Sequence, residues 1–177
     1  MKFTTEQLKE LNPCSDGLKW YLENIKTENL EEILIQLNNH RDDWPRWLMV
    51  RVLDDTQRRK LAIFAASEVL HIFEEKYPDD KRPREAIEAA QKYLDKEITL
   101  AELKEKRVAS VAAVACGYAA FACGYAAVAA SAASAASVAA VAAANAANAA
   151  AYYAADAARK EMQEKIIRYA IKLRGEK

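Results

Sequence analysis

The chain is poor in the residues that build most recognisable catalytic and metal sites. Of its 177 residues, four are glycine, three are cysteine and two are histidine, and the glycines are not clustered. The sequence therefore has no glycine-rich phosphate loop, and its odd number of cysteines argues against a disulfide framework. Basic and acidic residues number 26 each, so no net field steers nucleic acid to the protein. We expect no catalytic residue, no metal, no cofactor and no nucleic-acid partner.

Targeting and membrane signals are also missing. The N-terminal residues Met1–Glu6 lack the apolar core of a signal peptide, which predicts a cytoplasmic protein with reduced thiols. Residues 108–155 carry no charge, yet they contain no leucine or isoleucine, which are abundant in real membrane spans. They also contain no threonine, which alanine-rich ice-binding helices generally carry at regular spacing. We therefore predict no membrane partner and no ice-binding role.

Alanine is the residue that the chain has in abundance. Residues 108–155 span 48 positions, and 27 of them are alanine, which has the highest helix propensity. Two series of larger side chains recur there in steps of three and four, as in a coiled-coil seam. The series are Val111, Val114, Tyr118, Phe121, Tyr125 and Val128, then Ser131, Ser134, Val138, Val141, Asn145, Asn148 and Tyr152. Two successive steps of three join them, which predicts a bend within 129–137, with one very long helix as the alternative.

The remaining sequence predicts helices throughout, because no stretch of alternating β-branched residues indicates a strand. The expected fold class is all-α, a multi-helix bundle forming one structural domain. Residues 1–97 are expected to form mixed amphipathic helices. Residues 98–177 are expected to form a long alanine-rich helix or helical hairpin packed on them.

Capping residues predict where several helices begin. Ser15, with Asp16, and Asp54 are expected to precede helices, and Thr99 with Glu102 forms a capping box. The helix after Asp54 is the most apolar outside the alanine tract, so we expect it to be central. The stretch Asn38–His40 is expected to be a turn.

The order of motifs from Asp54 onward resembles a known family. A helix at Gln57–Ala62 precedes a Pro-Asp-Asp turn, and Arg82–Ala90 reads Arg-Pro-Arg-Glu-Ala-Ile-Glu-Ala-Ala. A Thr-Leu-Ala-Glu-Leu helix start at Thr99 and the alanine tract follow, while Cys14–Trp20 matches the family's beginning more loosely. The chain resembles the alanine-rich "putative immunity protein" family, which is found beside bacterial polymorphic toxins and in phage genomes. The resemblance implies a cytoplasmic protein that neutralises something by binding it.

The polar residues of the alanine tract are candidates for an interface or a ligand pocket. Asparagine at a seam position usually fixes register or oligomer state, and a buried amide needs a hydrogen-bond partner. The seam therefore predicts a homo-oligomer, or alternatively a pocket for a small molecule. The candidate residues are Tyr118, Tyr125, Asn145, Asn148, Tyr152 and Tyr153.

Two other groups are candidates for contact with a partner. Trp44, Arg46 and Trp47 lie close together on a predicted helix, and tryptophan and arginine are frequent hot-spot residues. Arg82 and Arg84 could bind carboxylates through their guanidinium groups. The alternatives are core packing for the tryptophans, and for the arginines a solvated face paired with neighbouring aspartates.

One motif has the spacing of a metal ligand pair. Glu68 and His71 match the Glu-x-x-His pattern of di-iron bundles, but such a site needs a second copy and two more glutamates. A hydrogen bond within the helix, involving Glu68, His71 and Glu75, is the expected explanation.

These features are compatible with three interpretations of the function. The first is a non-enzymatic binding protein that neutralises a protein target, as an immunity protein or a phage counter-defence inhibitor does. The second is an oligomeric sponge that sequesters a nucleotide-like small-molecule signal. The third is a structural helical module, which predicts neither ligand nor target. A co-purifying nucleotide would favour the second reading, and an adjacent toxin gene the first.

Overall fold

The structure is a computed structural model that describes residues 1–41, 43–112 and 156–176. These residues form eight helices and no strand, which confirms the all-α class for the described part of the chain. The helices are, in chain order, α1 (Thr5–Glu10), α2 (Ser15–Asn24), α3 (Leu30–His40), α4 (Asp43–Val52), α5 (Asp55–Lys76), α6 (Arg82–Leu94), α7 (Leu100–Ala112) and α8 (Asp156–Gly175).

The helix starts predicted at Asp54 and Thr99 are confirmed. Asp54 caps α5: its carboxylate accepts from the Gln57 amide at 2.9 Å, and Gln57 Oε1 accepts from the Asp54 amide at 3.0 Å. At the start of α7, Thr99 and Glu102 exchange the same pair of bonds, at 3.3 and 2.8 Å. Each box satisfies two of the amides that a helix N-terminus leaves without a partner.

Two local predictions are wrong. The stretch Asn38–His40 is the last turn of α3 rather than a turn between helices, and the chain leaves the helix only at Arg41. Asn38 is buried there, so packing outweighs the turn preference of its side chain. Ser15 is already helical, and the α2 cap position belongs to Cys14, which makes no capping side-chain bond.

Helix α5 is extensively buried, and its central position stays a prediction. It runs for 22 residues and packs against α6 and α8. Helix α8 also contacts α3 and α4, while α7 packs along α6. The buried side chains of α5 cover most of its circumference, which explains why an amphipathic pattern is weak there. They are Gln57, Leu61, Ala62, Ile63, Ala65, Ala66, Val69, Leu70 and Phe73.

The C-terminal helix α8 is held by both apolar and polar contacts. Ile166 and Leu173 are about 2% exposed, and the ring of Tyr169 stacks on Phe64 of α5 at 4.0 Å between centroids. The side-chain amide of buried Gln57 donates to the Leu173 carbonyl at 2.6 Å. The predicted apolar stripe of this last helix is therefore its packing face, with Met162, Ile166, Ala170 and Leu173 buried and Tyr169 half-buried.

Most of the alanine tract lies outside the described residues. The bend expected within 129–137 and the two seams fall there. So do the candidate residues Tyr118, Tyr125, Asn145, Asn148, Tyr152 and Tyr153. The predicted homo-oligomer, the ligand pocket of the seam and the division at residues 97 and 98 stay predictions.

Candidate functional site

Two tryptophans and two arginines lie together along α4 and at its junction with α3. Trp44, Trp47 and Arg51 follow each other in steps of three and four, so they lie on the same side of α4, and Arg41 is the residue after α3. The Arg41 guanidinium lies 5.2 Å from the Trp44 ring centroid, and that of Arg51 lies 4.2 Å from the Trp47 ring centroid. Both arginines are exposed and both tryptophans are half-buried. We call these four residues the Arg–Trp face.

The Arg–Trp face forms one wall of a cleft that α1, α2 and α3 close on the other sides. The cleft has a volume of about 220 Å³ and its walls are mainly apolar. We call it the N-terminal cleft, and its lining residues are Leu8, Pro13, Cys14, Asp16, Gly17, Tyr21, Leu37, Arg41, Asp43, Trp44, Trp47 and Leu48. Burial raises the pKa of the Tyr21 phenol, so this side chain is a neutral part of the wall.

Three aromatic rings stack at the edge of the cleft. The His40 ring lies 4.4 Å from that of Trp20 and nearly parallel to it, and 5.1 Å from that of Trp44. The two tryptophans meet edge to face at 5.7 Å. Offset stacks and edge-to-face contacts are the favoured arrangements of such rings. The cluster therefore fixes Trp44 against α2 and α3 and gives the cleft a rigid wall.

An ion pair fixes the mouth of the cleft. Arg41 donates two bonds to the Asp43 carboxylate, at 3.0 and 2.8 Å. This bidentate contact lowers the pKa of Asp43, so the carboxylate is charged across the ordinary pH range. Arg41 is the residue after α3 and Asp43 is the first of α4, so the pair also spans the junction between the two helices.

The N-terminal segment holds α1 in place over this cleft. The Phe3 amide donates to the Glu28 carbonyl at 2.7 Å, and the Leu30 amide donates to the Met1 carbonyl at 2.9 Å. Phe3 is buried at 2% exposure. Because both ends of the segment before α3 are tied together, Leu8 of α1 is brought to the cleft.

The predicted partner-contact residues do not form one surface. Trp44 and Trp47 lie together at the N-terminal cleft, as their spacing indicated. Arg46 is half-buried and lines a small cavity beside α8 instead. Each tryptophan also packs against the core, so the packing and contact interpretations describe different sides of the same ring.

Arg82 and Arg84 lie at the start of α6, and both make ion pairs. Arg82 donates to the Asp80 carboxylate at 2.8 and 2.6 Å, and Arg84 donates to that of Glu74 at 2.6 Å through two nitrogens. The pairing with acidic neighbours that the sequence offered as an alternative is therefore present. Contact of these arginines with a partner stays a prediction.

The Glu-x-x-His motif forms no metal site in the described part of the chain. No group of three potential metal ligands occurs among those residues. His71 is exposed, and Glu68 lies 3.7 Å from the Lys165 ammonium of α8. The glutamate thus pairs across two helices.

Most of the cleft was not predicted from the sequence. Arg51 follows Trp47 by four residues on α4, so helical spacing could have assigned it to the same face. Trp20, His40 and Gly17 join the site only through tertiary packing, which a single sequence does not encode as a local pattern.

The family comparison agrees with the motifs found from Asp54 onward. A family model described as "Imm-5 like putative immunity protein" matches residues 51–172. The chain belongs to this family. Comparisons with curated proteins and with solved structures gave no match.

The Imm-5 like match and the cleft cover different parts of the chain. The match begins at Arg51, near the end of α4, and extends into α8. Every residue lining the N-terminal cleft lies between Leu8 and Leu48, before the match begins. Within the described residues, every helix is too short or too polar to cross a membrane.

Proposed function

We propose that this Imm-5 like protein is a non-enzymatic inhibitor that neutralises a protein target by binding it in the cytoplasm. An immunity protein and a phage counter-defence inhibitor both work in this way. Family membership supports a neutralising role, and the Arg–Trp face beside the N-terminal cleft carries the proposal for where the target binds. This binding needs no cofactor and no chemical step.

The Arg–Trp face has the composition and rigidity of a binding hot spot. Tryptophan and arginine dominate the residues whose loss weakens protein complexes most. Here Arg51 is stacked on Trp47 and donates to its carbonyl at 3.1 Å, while Arg41 is held by Asp43. Because these side chains are already ordered, little conformational entropy remains to be lost when a partner binds.

The size of the cleft favours a protein target over a small-molecule signal. Pockets that enclose small ligands have volumes of roughly 300–1,000 Å³. The N-terminal cleft, at about 220 Å³, is below that range. A cleft of this size suits a side chain of a protein that lies across the surface, whereas a nucleotide would leave much of its area exposed.

Binding and protection against a toxin test the proposal directly. A toxin whose gene is found beside this gene in the source genome would be co-expressed with the chain, and growth rescue and affinity would be measured. We expect rescue and a stable complex, and expect Trp47→Ala to raise the dissociation constant about 30-fold or more, as for a hot-spot residue worth about 2 kcal/mol. Lys104→Ala, on the exposed side of α7, is the matched control.

A second pair of variants separates the two candidate surfaces. If Arg82→Ala with Arg84→Ala abolishes binding and Trp47→Ala does not, the target binds at α6 and the assignment to the Arg–Trp face is wrong. Turnover of any substrate, removed by a single substitution, would contradict the non-enzymatic proposal. A nucleotide found by native mass spectrometry would support the sponge instead.

A further inference from the structure

Gly17 keeps the floor of the N-terminal cleft open. It is the third residue of α2, and its φ lies outside the left-handed region that favours glycine. A Cβ at this position would lie 3.2 Å from Cys14 Sγ and 3.7 Å from Trp44 Cε2. Glycine is less favourable than alanine within a helix. Because Gly17 has no side chain, it leaves space above the Trp44 ring, which any larger side chain would occupy.

The lining of the cleft mouth contains two carboxylates, Asp16 and Asp43, and one guanidinium, that of Arg41. Arg41 donates two bonds to Asp43 and attracts Asp16 only through longer-range electrostatics, while Arg46 adds a positive charge near Asp43. Asp16 is exposed and accepts a 3.4 Å bond from the Ser15 hydroxyl. The mouth therefore offers an exposed carboxylate, that of Asp16, beside an apolar floor.

We propose that the cleft receives a single apolar side chain of the protein target, and that a lysine or arginine adjacent to it in the target pairs with Asp16. This inference rests on the proposed function, because it names the chemistry of the partner at the same site. The apolar walls supply the contact area, and the carboxylate supplies a preference for basic over acidic flanking residues. All lining residues precede the part of the chain that the family model matches, which begins at residue 51.

Short peptides can test the chemistry without the target. The probes are acetylated, amidated tripeptides of sequence Lys-Leu-Lys, Lys-Ala-Lys and Glu-Leu-Glu. The chain has three tryptophans, and Trp20, Trp44 and Trp47 all lie at this site, so tryptophan fluorescence excited at a wavelength that tyrosine does not absorb reports on it. We expect saturable binding of Lys-Leu-Lys, about tenfold or more weaker binding of Lys-Ala-Lys, and a preference over Glu-Leu-Glu that salt reduces.

Two variants of the full chain connect this binding to the residues. Gly17→Leu fills the cleft and should abolish peptide binding, with circular dichroism and thermal melting showing that the helices are retained. Asp16→Asn, at an exposed position, should leave Leu-dependent binding intact and remove the preference for lysine over glutamate. If Gly17→Leu does not fold, the peptide series and Asp16→Asn still decide the question.

The outcomes separate this inference from the proposed function. If Lys-Leu-Lys and Glu-Leu-Glu bind equally, or Lys-Ala-Lys binds as well as Lys-Leu-Lys, the inference is wrong even where the chain still neutralises a target. If a folded Gly17→Leu variant protects as well as the wild type, the target does not use the cleft. If peptide selectivity is observed but no protection occurs, the cleft chemistry stands and the neutralising function fails.

Discussion

Gln57 is a buried polar residue that ties α5 to the C-terminal helix. Its side chain is buried at 9% exposure, accepts from the Asp54 amide and donates to the Leu173 carbonyl at 2.6 Å. Leucine has a similar size but can form neither bond. Gln57→Leu removes this donor from the Leu173 carbonyl, which still accepts from the Glu176 amide at 3.2 Å. The lost bond costs about 0.5–1.5 kcal/mol, and the substitution also weakens the α5 cap. We expect a total loss of about 1–2 kcal/mol in the free energy of unfolding.

Urea and thermal unfolding followed by circular dichroism measure this loss. For a chain of this length it corresponds to a fall in melting temperature of roughly 2–8 °C. The matched control is Gln7, which occupies the same position in the α1 capping box with Thr4 but is exposed. Gln7→Leu should cost less than about 1 kcal/mol. Equal losses for the two variants would refute the role assigned to the bond with Leu173.

Gln57→Glu adds a test with a defined sign. A carboxylate at this position can accept from Asp54 but cannot donate to Leu173, and it places a negative charge beside carbonyls at the end of α8. The folded state should therefore raise the pKa of the new carboxyl above its unfolded value of about 4.3. Stability relative to wild type is then highest at low pH and falls as pH rises through the raised pKa. A pH-independent difference would contradict this reasoning. Gln7→Glu should show a pH dependence of the opposite sign, because capping bonds lower the pKa of a carboxyl at this position, as they do for Glu102.

Three further predictions concern the rest of the described helices. The Arg84 guanidinium lowers the pKa of Glu74. Arg84→Met should therefore lower the free energy of unfolding by up to about 1 kcal/mol above pH 4.5, and this effect should disappear as pH falls through the lowered pKa. An equal loss in urea titrations at pH 3 and pH 7 would contradict this prediction. Lys96 has a φ of 62°, a conformation that favours glycine, so Lys96→Gly should raise the free energy of unfolding by about 0.5–1 kcal/mol. Lys92→Gly, within α6, should lower it by about 1 kcal/mol. A change of the same sign for both variants would contradict the backbone explanation. Ile166→Ala should cost about 2–5 kcal/mol in thermal melts, and a loss below 1 kcal/mol would mean that α8 does not form part of the core.

Helix positions were predictable where local chemistry determines them. The capping boxes at Asp54 and Thr99 act through side chains within one helical turn, so a single sequence contains the whole signal. The prediction of a turn at Asn38–His40 was wrong because of burial. Asn38 is a residue of α3 at 9% exposure, and its packing keeps this stretch helical although its polar side chains favour turns in isolation.

The candidate site was predictable only in part, for a related physical reason. Trp44 and Trp47 lie on one helix, so their proximity followed from helical spacing. The opposite side of the cleft comes from Gly17 and Tyr21 of α2 and from Leu8 of α1, which are separated from α4 by other elements. Periodicity describes one helix at a time and contains no information about which faces meet.

The division of the chain between family match and cleft has a mechanistic consequence. The matched part contains α5, whose buried circumference and ties to α8 make it the support of the described helices. The cleft lies at the other end of α4, where exposed arginines and half-buried tryptophans replace closely packed aliphatic side chains. Substitutions of the exposed arginines change few core contacts, whereas Leu8, Leu37 and Leu48 of the cleft belong to the core. The rim of the site can therefore vary at lower cost in stability than its floor. The side chains that hold α5 against α8 are thus separate from the exposed arginines of the proposed target site.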